Sequence, residues 1–295
     1  VSMRTAYTPE APAVERLDES LRDKGVLKAI FVVGSGGAGK TRIAKDMFPG
    51  APLKEINADV HLEAMLKWAK ISPKEVGAQP QMFTKARDIR NNELRYYAVR
   101  RRGLVIDCTG WAYDRVAGPY HKLRKLGYDC TMVCITVSNP TAHRRNVARA
   151  KVGGRNVPSS FIDDAWYGLE KNKARYKKLF GKKRFYEIKN DVDLTPAFWQ
   201  KNVVPQLRTL GRKVLSLSVA NTVGQEWLKK DEKLVRQAQS FKASDWPEEQ
   251  RPTFARVRDG KTRGALGLGK QIAGTGKTAL GMFKPKGAKG FTTVK

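Results

Sequence analysis

Ala29-Ile-Phe-Val-Val33 runs directly into Gly34-Ser-Gly-Gly-Ala-Gly-Lys40-Thr41, and this junction decides the fold. The first five residues form a continuous apolar run of strand length. The next eight spell G-x-x-x-x-G-K-[ST], and Thr41 to Met47 has helical character. A strand, this loop and a helix in that order separate a phosphate-binding loop from a chance glycine-rich turn. Gly34, Gly36, Gly37 and Gly39, with Ser35 and Ala38 between them, let backbone N–H groups converge on phosphate oxygens at the positive end of the following helix. Lys40 is placed to reach the outer phosphates of ATP or GTP, and the Thr41 hydroxyl to ligate Mg²⁺. Gly274-Thr-Gly-Lys-Thr278 looks similar, but Gln271 stands where the motif needs its first glycine and no strand precedes it.

Working outward, strand candidates recur at Leu53–Ile56, Leu104–Asp107, Thr131–Val137 and Arg184–Ile188, with helical patterns between them. The segment from Val60 to Arg102 reads as helical with breaks near Pro73 and at Gly77–Pro80, and a helix over Tyr113–Leu126 reads as interrupted at Gly118-Pro119. Strands alternating with helices predict an α/β fold: a doubly wound parallel sheet of about five strands with helices on both faces and ligands at the carboxyl ends of the strands. The expected organisation is an N-terminal arm and helix over 1–26 and a P-loop kinase-type domain over 27–211 with a lid near 141–158. A helical extension over 212–255 and a basic, glycine-rich extended arm over 256–295 follow.

Three further stretches carry chemistry. Leu104-Val-Ile-Asp107 has the form of a Walker B strand, whose carboxylate holds the Mg²⁺ shell, although an Asp there also suits the turn at Thr109-Gly110. Asp59 follows the second strand at the ligand-facing edge. It reads either as the base that takes the proton of an acceptor hydroxyl or as the N-cap of the helix starting at Val60. The run Arg144-Arg-Asn-Val-Ala-Arg149 to Gly153-Gly-Arg155-Asn-Val-Pro158 reads as a mobile lid, with Arg145 and Arg149 on one helix face and the glycine pair as a hinge delivering Arg155. Arg145 is assigned to the nucleotide, and Arg149 and Arg155 to the transferring group; the alternative is a solvated basic helix.

With these residues in place the chain resembles the zeta-toxin-like P-loop kinases, especially phage-encoded members, over roughly residues 27–190. The resemblance implies an ATP-dependent kinase acting on a hydroxyl of a sugar nucleotide, UDP-N-acetylglucosamine. It implies Asp59 as general base, Lys40 as phosphate lysine, and Arg149 and Arg155 as lid arginines. No motif between Val60 and Arg102 matches the family's acceptor-binding residues.

Composition adds a second theme. The 295 residues hold 57 Lys and Arg against 28 Asp and Glu, a formal charge of +29. Such an excess favours polyanions. The partners expected are therefore a nucleoside triphosphate, a small hydroxyl-bearing acceptor, and a nucleic acid or acidic protein on the C-terminal arm. The arm's Phe254, Phe283 and Phe291 suit either base stacking or a protein surface. The helix from Lys171 through Arg184, with Tyr167, Tyr176, Phe180 and Phe185 interleaved, reads either as a phosphate-tracking face or as aromatics packed on the sheet. Cys108, Cys130 and Cys134 have no metal or disulfide spacing and read as small buried hydrophobes. His61, His121 and His143 are scattered. No apolar run is long enough to span a membrane and no signal core precedes Arg4, so the cytoplasm, or a host cytoplasm or virion for a phage protein, is the expected location.

Overall fold

The computed structural model describes residues 24–73, 80–155 and 157–240, the side chains of 234–240 excepted. The expectations for the N-terminal helix before Lys24 and for the chain beyond Ser240 lie outside these residues. Lys24–Gln225 forms one compact unit.

Five strands build it: β1 (Lys28–Val33), β2 (Leu53–Ile56), β3 (Gly103–Cys108), β4 (Asp129–Thr136) and β5 (Phe185–Lys189). They are all parallel, in the order β2-β3-β1-β4-β5. Between and after them lie α1 (Lys40–Met47), α2 (Ala58–Trp68), α3 (Pro80–Val99), α4 (Tyr113–Lys125), α5 (Asn139–Lys151), α6 (Ser159–Phe180), α7 (Pro196–Phe198), α8 (Val204–Ser216) and α9 (Thr222–Ser240). A π-helical turn, Trp199–Val203, links α7 to α8. The β1-to-β2 connection steps one way across the sheet, while those into β3, β4 and β5 step the other way. Because parallel crossovers are right-handed, α1 takes one face and α3, α4 and α6 the other.

The strand alternation matches that division. Ile30 and Val32 of β1 and Val133 and Ile135 of β4 belong to a core with Ile43 and Met47 of α1, Trp199, and Leu207 and Val214 of α8. Phe31 points to the opposite face, where its ring meets Phe180 of α6 at 5.3 Å. Apolar residues on both sides of one strand are what a central parallel strand requires. Cys130 and Cys134 lie in this interior and Cys108 at its edge, and all three thiols are free. Burial pushes the Cys108 thiol up to about 11.

Helix α4 differs from expectation. It runs through Gly118-Pro119 without a break. Pro119 forfeits one intrahelical hydrogen bond, but Val116, Ala117 and Leu123 on either side are buried, and that apolar face keeps the helix on the sheet.

The end of the sheet remote from the glycine loop is closed by a polar knot. The Asp129 carboxylate, 1% exposed, accepts from Arg124 at 2.7 Å, Arg184 at 2.8 Å and the Ala220 N–H at 2.5 Å. Beside it the Lys28 ammonium donates to the carbonyls of Leu215 and Leu217. Burial, and then Arg184, push the Lys28 pKa down to about 8. The knot fastens the segment after α8 to the base of β1 and β4, so the compact unit continues past Gly211. Asp129→Ala strands these cations without their carboxylate. A loss of about 3–5 kcal/mol of stability is expected in urea titration, with nucleotide binding unchanged at temperatures where the variant is folded.

Candidate functional site

The loop between β1 and α1 is held by its own surroundings before any ligand arrives. Gly37 has φ +77°, and a Cβ there would lie 2.7 Å from the Ala142 carbonyl oxygen, so only glycine lets α5 approach this closely. Gly34 N–H donates to Cys108 O and Ala38 N–H to Ser35 O. Among the described residues, the N–H groups of Gly36, Gly37 and Gly39 donate to no protein acceptor. Those of Lys40 and Thr41 belong to the first turn of α1, which has no internal partners. A cluster of unpaired donors at a helix N-terminus is the cradle a polyphosphate fills.

Lys40 curls back over this cradle. Its ammonium donates to Gly34 O at 3.0 Å and Ser35 O at 3.3 Å, and stands 3.8 Å from an Asp107 oxygen. Asp107 sits at the carboxyl end of β3, with its Cα in register with Val32 of β1. Burial pushes its carboxyl up to about 6, and Asp59 and Glu55 push the same way, while Lys40 and Arg90 pull it down. Thr41 is exposed on the first turn of α1, next in the chain to Lys40. One hydroxyl and one carboxylate are hard oxygen donors, which suit Mg²⁺ that keeps its waters and phosphate ligands. The donor set therefore fits.

Asp59 lies in the first turn of α2, but it is not the cap. Asn57 is, its side chain accepting the Asp59 N–H at 3.0 Å. The Asp59 carboxylate is thereby left for another partner, and Arg155 supplies it. The two guanidinium nitrogens donate to the two carboxylate oxygens at 3.0 and 2.9 Å, a bidentate pair across 96 residues of chain. Arg155 is 17% exposed and Asp59 54%, and the Phe83 ring of α3 stands 6.0 Å from the Arg155 guanidinium. Arg149 lies close by, donating to Asn146 at 3.1 Å. Burial pulls its pKa down, and so does the like charge of Arg155, while Asp59 and Glu63 oppose them. The like charges of Arg149 and Arg155 are thus offset in part by Asp59 and Glu63.

Arg145 has a different placement. It donates to Asp193 at 2.6 Å, Asn190 O at 2.7 Å, Val192 O at 3.2 Å and Gly37 O at 3.3 Å. Its donors are spent tying the glycine loop to the segment after β5. Arg144 grips the same Asp193 at 2.6 Å.

Several residues of this site carry no motif in the sequence. Asn190 donates to Ala38 O at 2.8 Å, and Asp191 accepts from the Ser138 N–H at 3.0 Å and hydroxyl at 2.6 Å. These bonds hold the Asp191 and Asp193 carboxyls below the usual range, with Ser138 and Arg144 the first causes. Asn146 clasps the returning chain, donating to Val157 O at 2.9 Å and accepting Val157 N–H at 3.1 Å. On α3, Arg90 reaches within 4.0 Å of Cys108 Sγ. His61 bonds Glu93 at 2.7 Å and fixes α2 against α3. The cue available in the sequence was Asn190-Asp191-x-Asp193, placed at the carboxyl end of the last strand.

Residues 30–171, just under half of the chain, match the family model described as an AAA domain, AAA_33. No curated protein matches the chain. Among solved structures, a component of the PezAT chromosomal toxin–antitoxin system of Streptococcus pneumoniae aligns at 18% identity, with 65% of this chain, 87% of that one and a TM-score of 0.46. Shikimate kinase from Acinetobacter baumannii aligns at 16% identity over 69% of this chain and 99% of that one, with a TM-score of 0.37. A gluconokinase from Sinorhizobium meliloti 1021 gives 15%, 73%, 99% and 0.35 in the same order. The fold is a five-stranded parallel α/β sheet carrying the G-x-x-x-x-G-K-[ST] loop, and among the described residues no helix is long and apolar enough to cross a membrane.

Proposed function

We propose that this chain is a kinase that transfers the γ-phosphate of ATP to a hydroxyl of a small metabolite or sugar nucleotide. The observation that carries the reading is the bidentate Arg155–Asp59 pair, whose carboxylate is felt at Asp107, itself 3.8 Å from the Lys40 ammonium. A carboxylate and a guanidinium held together there match the two groups such a reaction needs on either side of the transferring phosphoryl. The zeta-toxin-like pattern of Asp59, Lys40 and Arg155 supports the same reading.

In this scheme the N–H groups of the glycine loop hold the phosphates, and Lys40 leaves Gly34 O and Ser35 O to bond the outer phosphate oxygens. Thr41 and Asp107 would hold Mg²⁺, which shields the negative charge of the phosphates when bound. Asp59 accepts the hydroxyl proton as the acceptor oxygen bonds to the γ-phosphorus and the bond to the departing ADP oxygen breaks. Arg155 releases Asp59 and turns to the phosphoryl oxygens beside Arg149, so the repulsion between the two cations is relieved by the charge they stabilise. A half-exposed pair is worth about 0–1 kcal/mol, so the exchange costs little.

The test is transfer from radiolabelled ATP with Mg²⁺ to sugar nucleotides, free sugars, sugar acids and 5′-hydroxyl oligonucleotides. Label on a small hydroxyl compound, lost in Lys40→Ala, is expected. Label confined to oligonucleotide ends, or release of phosphate with no labelled acceptor, would refute the small-acceptor reading.

A further inference from the structure

The aromatic and basic residues of α6, interleaved in sequence, separate cleanly in space. Tyr176 and Phe180 are buried and form a seam with α4: Tyr176 stacks on Tyr113 at 5.4 Å, and Tyr120 meets Phe180 at 4.8 Å. Tyr176 also donates to Gly110 O at 2.8 Å. The cations take the other side of the same helix. Lys171, Arg175 and Lys178, spaced i, i+4, i+7, share one exposed face of α6, and Lys182 continues it in the turn beyond. On the adjacent α4, Arg115 and Lys122 are seven apart and exposed. None of these six side chains makes an ion pair with an acid among the described residues.

The nearby acids are engaged, except Asp114 on α4 and Asp164, which is exposed on α6 seven residues before Lys171. Glu170 bonds Lys173 at 2.9 Å, Lys173 also reaches Glu187, and Asp163 holds His143. Asp114 is exposed at the start of α4. A helix surface that serves solubility alternates charge signs, because like charges one turn apart repel. Here one sign repeats on α6 from Lys171 onward and on α4 after Asp114. Part of it is preset: the Arg175 guanidinium lies 3.6 Å over the Tyr113 ring and donates to Asn172, and Arg115 lies over Trp111. Only ten of the chain's 57 Lys and Arg fall in 256–295, so most of its basic character belongs elsewhere, and this face holds a share of it.

We infer that the α4–α6 face binds the phosphate backbone of a nucleic acid, independently of sequence and apart from the glycine cradle. Charge complementarity selects this occupant. Three cations on α6 span about 10 Å at 1.5 Å per residue, with a second row one helix away at about 8–10 Å. A regular anionic polymer presents charges to both rows at once. A protein partner would be expected to find large apolar anchors between the charges, as would a membrane surface. Apart from Tyr167, the exposed positions named on this face instead end in ammonium or guanidinium groups. Tyr167, one turn before Lys171 and 63% exposed, offers a ring on which an unpaired base can stack.

The test uses the full chain and fluorescence anisotropy with a labelled 30-nucleotide single strand, its duplex, and polyglutamate of similar charge, across a salt series. Binding of nucleic acid should weaken linearly in log–log form as salt rises. Lys171→Glu/Arg175→Glu/Lys178→Glu should lower affinity about tenfold or more at moderate salt and reduce the slope by about two to three. A gentler Arg175→Gln/Lys178→Gln variant, with an unchanged melting temperature, should fall between. ATP binding by these variants and nucleic-acid binding by Lys40→Ala should both match wild type. Unchanged affinity and slope in the triple variant would overturn the inference by placing the contacts on other cations. Polyglutamate bound as tightly as DNA, with the same loss in the variant, would overturn it in favour of an acidic protein. Absence of any nucleic-acid binding would refute it outright.

Discussion

Asp59→Asn is expected to lower phosphoryl transfer by about 10²–10⁴-fold, the usual worth of a positioned general base, while ATP binds as before. The substitution keeps the size of the side chain and removes its ability to take a proton. It also replaces an ionic bidentate contact to Arg155 with a weaker neutral one. Because Asp59 is half exposed, that loss barely touches stability, and Asn57 still caps α2. Single-turnover transfer, nucleotide titration and thermal melting on the same preparation separate these effects. Turnover retained in Asp59→Asn would remove the base assignment. A collapse of ATP affinity would instead mean that Asp59 belongs to the nucleotide's own contacts.

Lys40→Met is the second large effect. It should weaken ATP binding and reduce transfer by about 10²–10³-fold or more, as removal of a charge-stabilising donor does. In the ligand-free chain the ammonium rests on two carbonyls of its own loop and on Asp107. Its loss therefore takes from Asp107 the charge that most favours the carboxylate form. The damage should extend to Mg²⁺ affinity, so Lys40→Met and Asp107→Asn are expected to be non-additive. A double-mutant cycle read by calorimetric titration of MgATP measures this. Strict additivity would show that the two side chains act independently.

The glycine loop, the five strands and Asp107 were legible because each is written locally: an apolar run, a fixed spacing, a carboxylate at a strand end. Leu53–Ile56 was located to the residue, and Gly103–Cys108 to within one. The break expected in α4 did not occur, because burial of Val116 and Leu123 overrides the cost of Pro119. Arg145 shows the limit of local reading. Its place on a basic helix pointed to the nucleotide, whereas the fold brings Asp193 and two carbonyls of the β5 loop to it from over 40 residues away. Asp59 read in sequence as a candidate cap of the helix starting at Val60, whereas Asn57 caps α2, a choice made by the backbone of the β2–α2 junction. Asn146, Asn190 and Asp129 act through partners distant in the chain and carried no signal of their own.

The root of α5 has a mechanical consequence. It is pinned to the phosphate loop by the close approach of Gly37 to Ala142, by Arg145 and by the Ser138–Asp191 bonds. Such an anchored helix cannot swing as a rigid arm from its base. The pivot falls instead near Gly153, where φ is +86° and the space around Cβ is empty, just before Gly154 crosses close over Arg149. Val157 is held again by Asn146. Among the described residues, Gly153 to Arg155 is what lies beyond these anchors, and on the proposed reading it is the part that would move. On the proposed kinase reading, a short stretch of backbone rather than a whole helix would have to move to admit an acceptor.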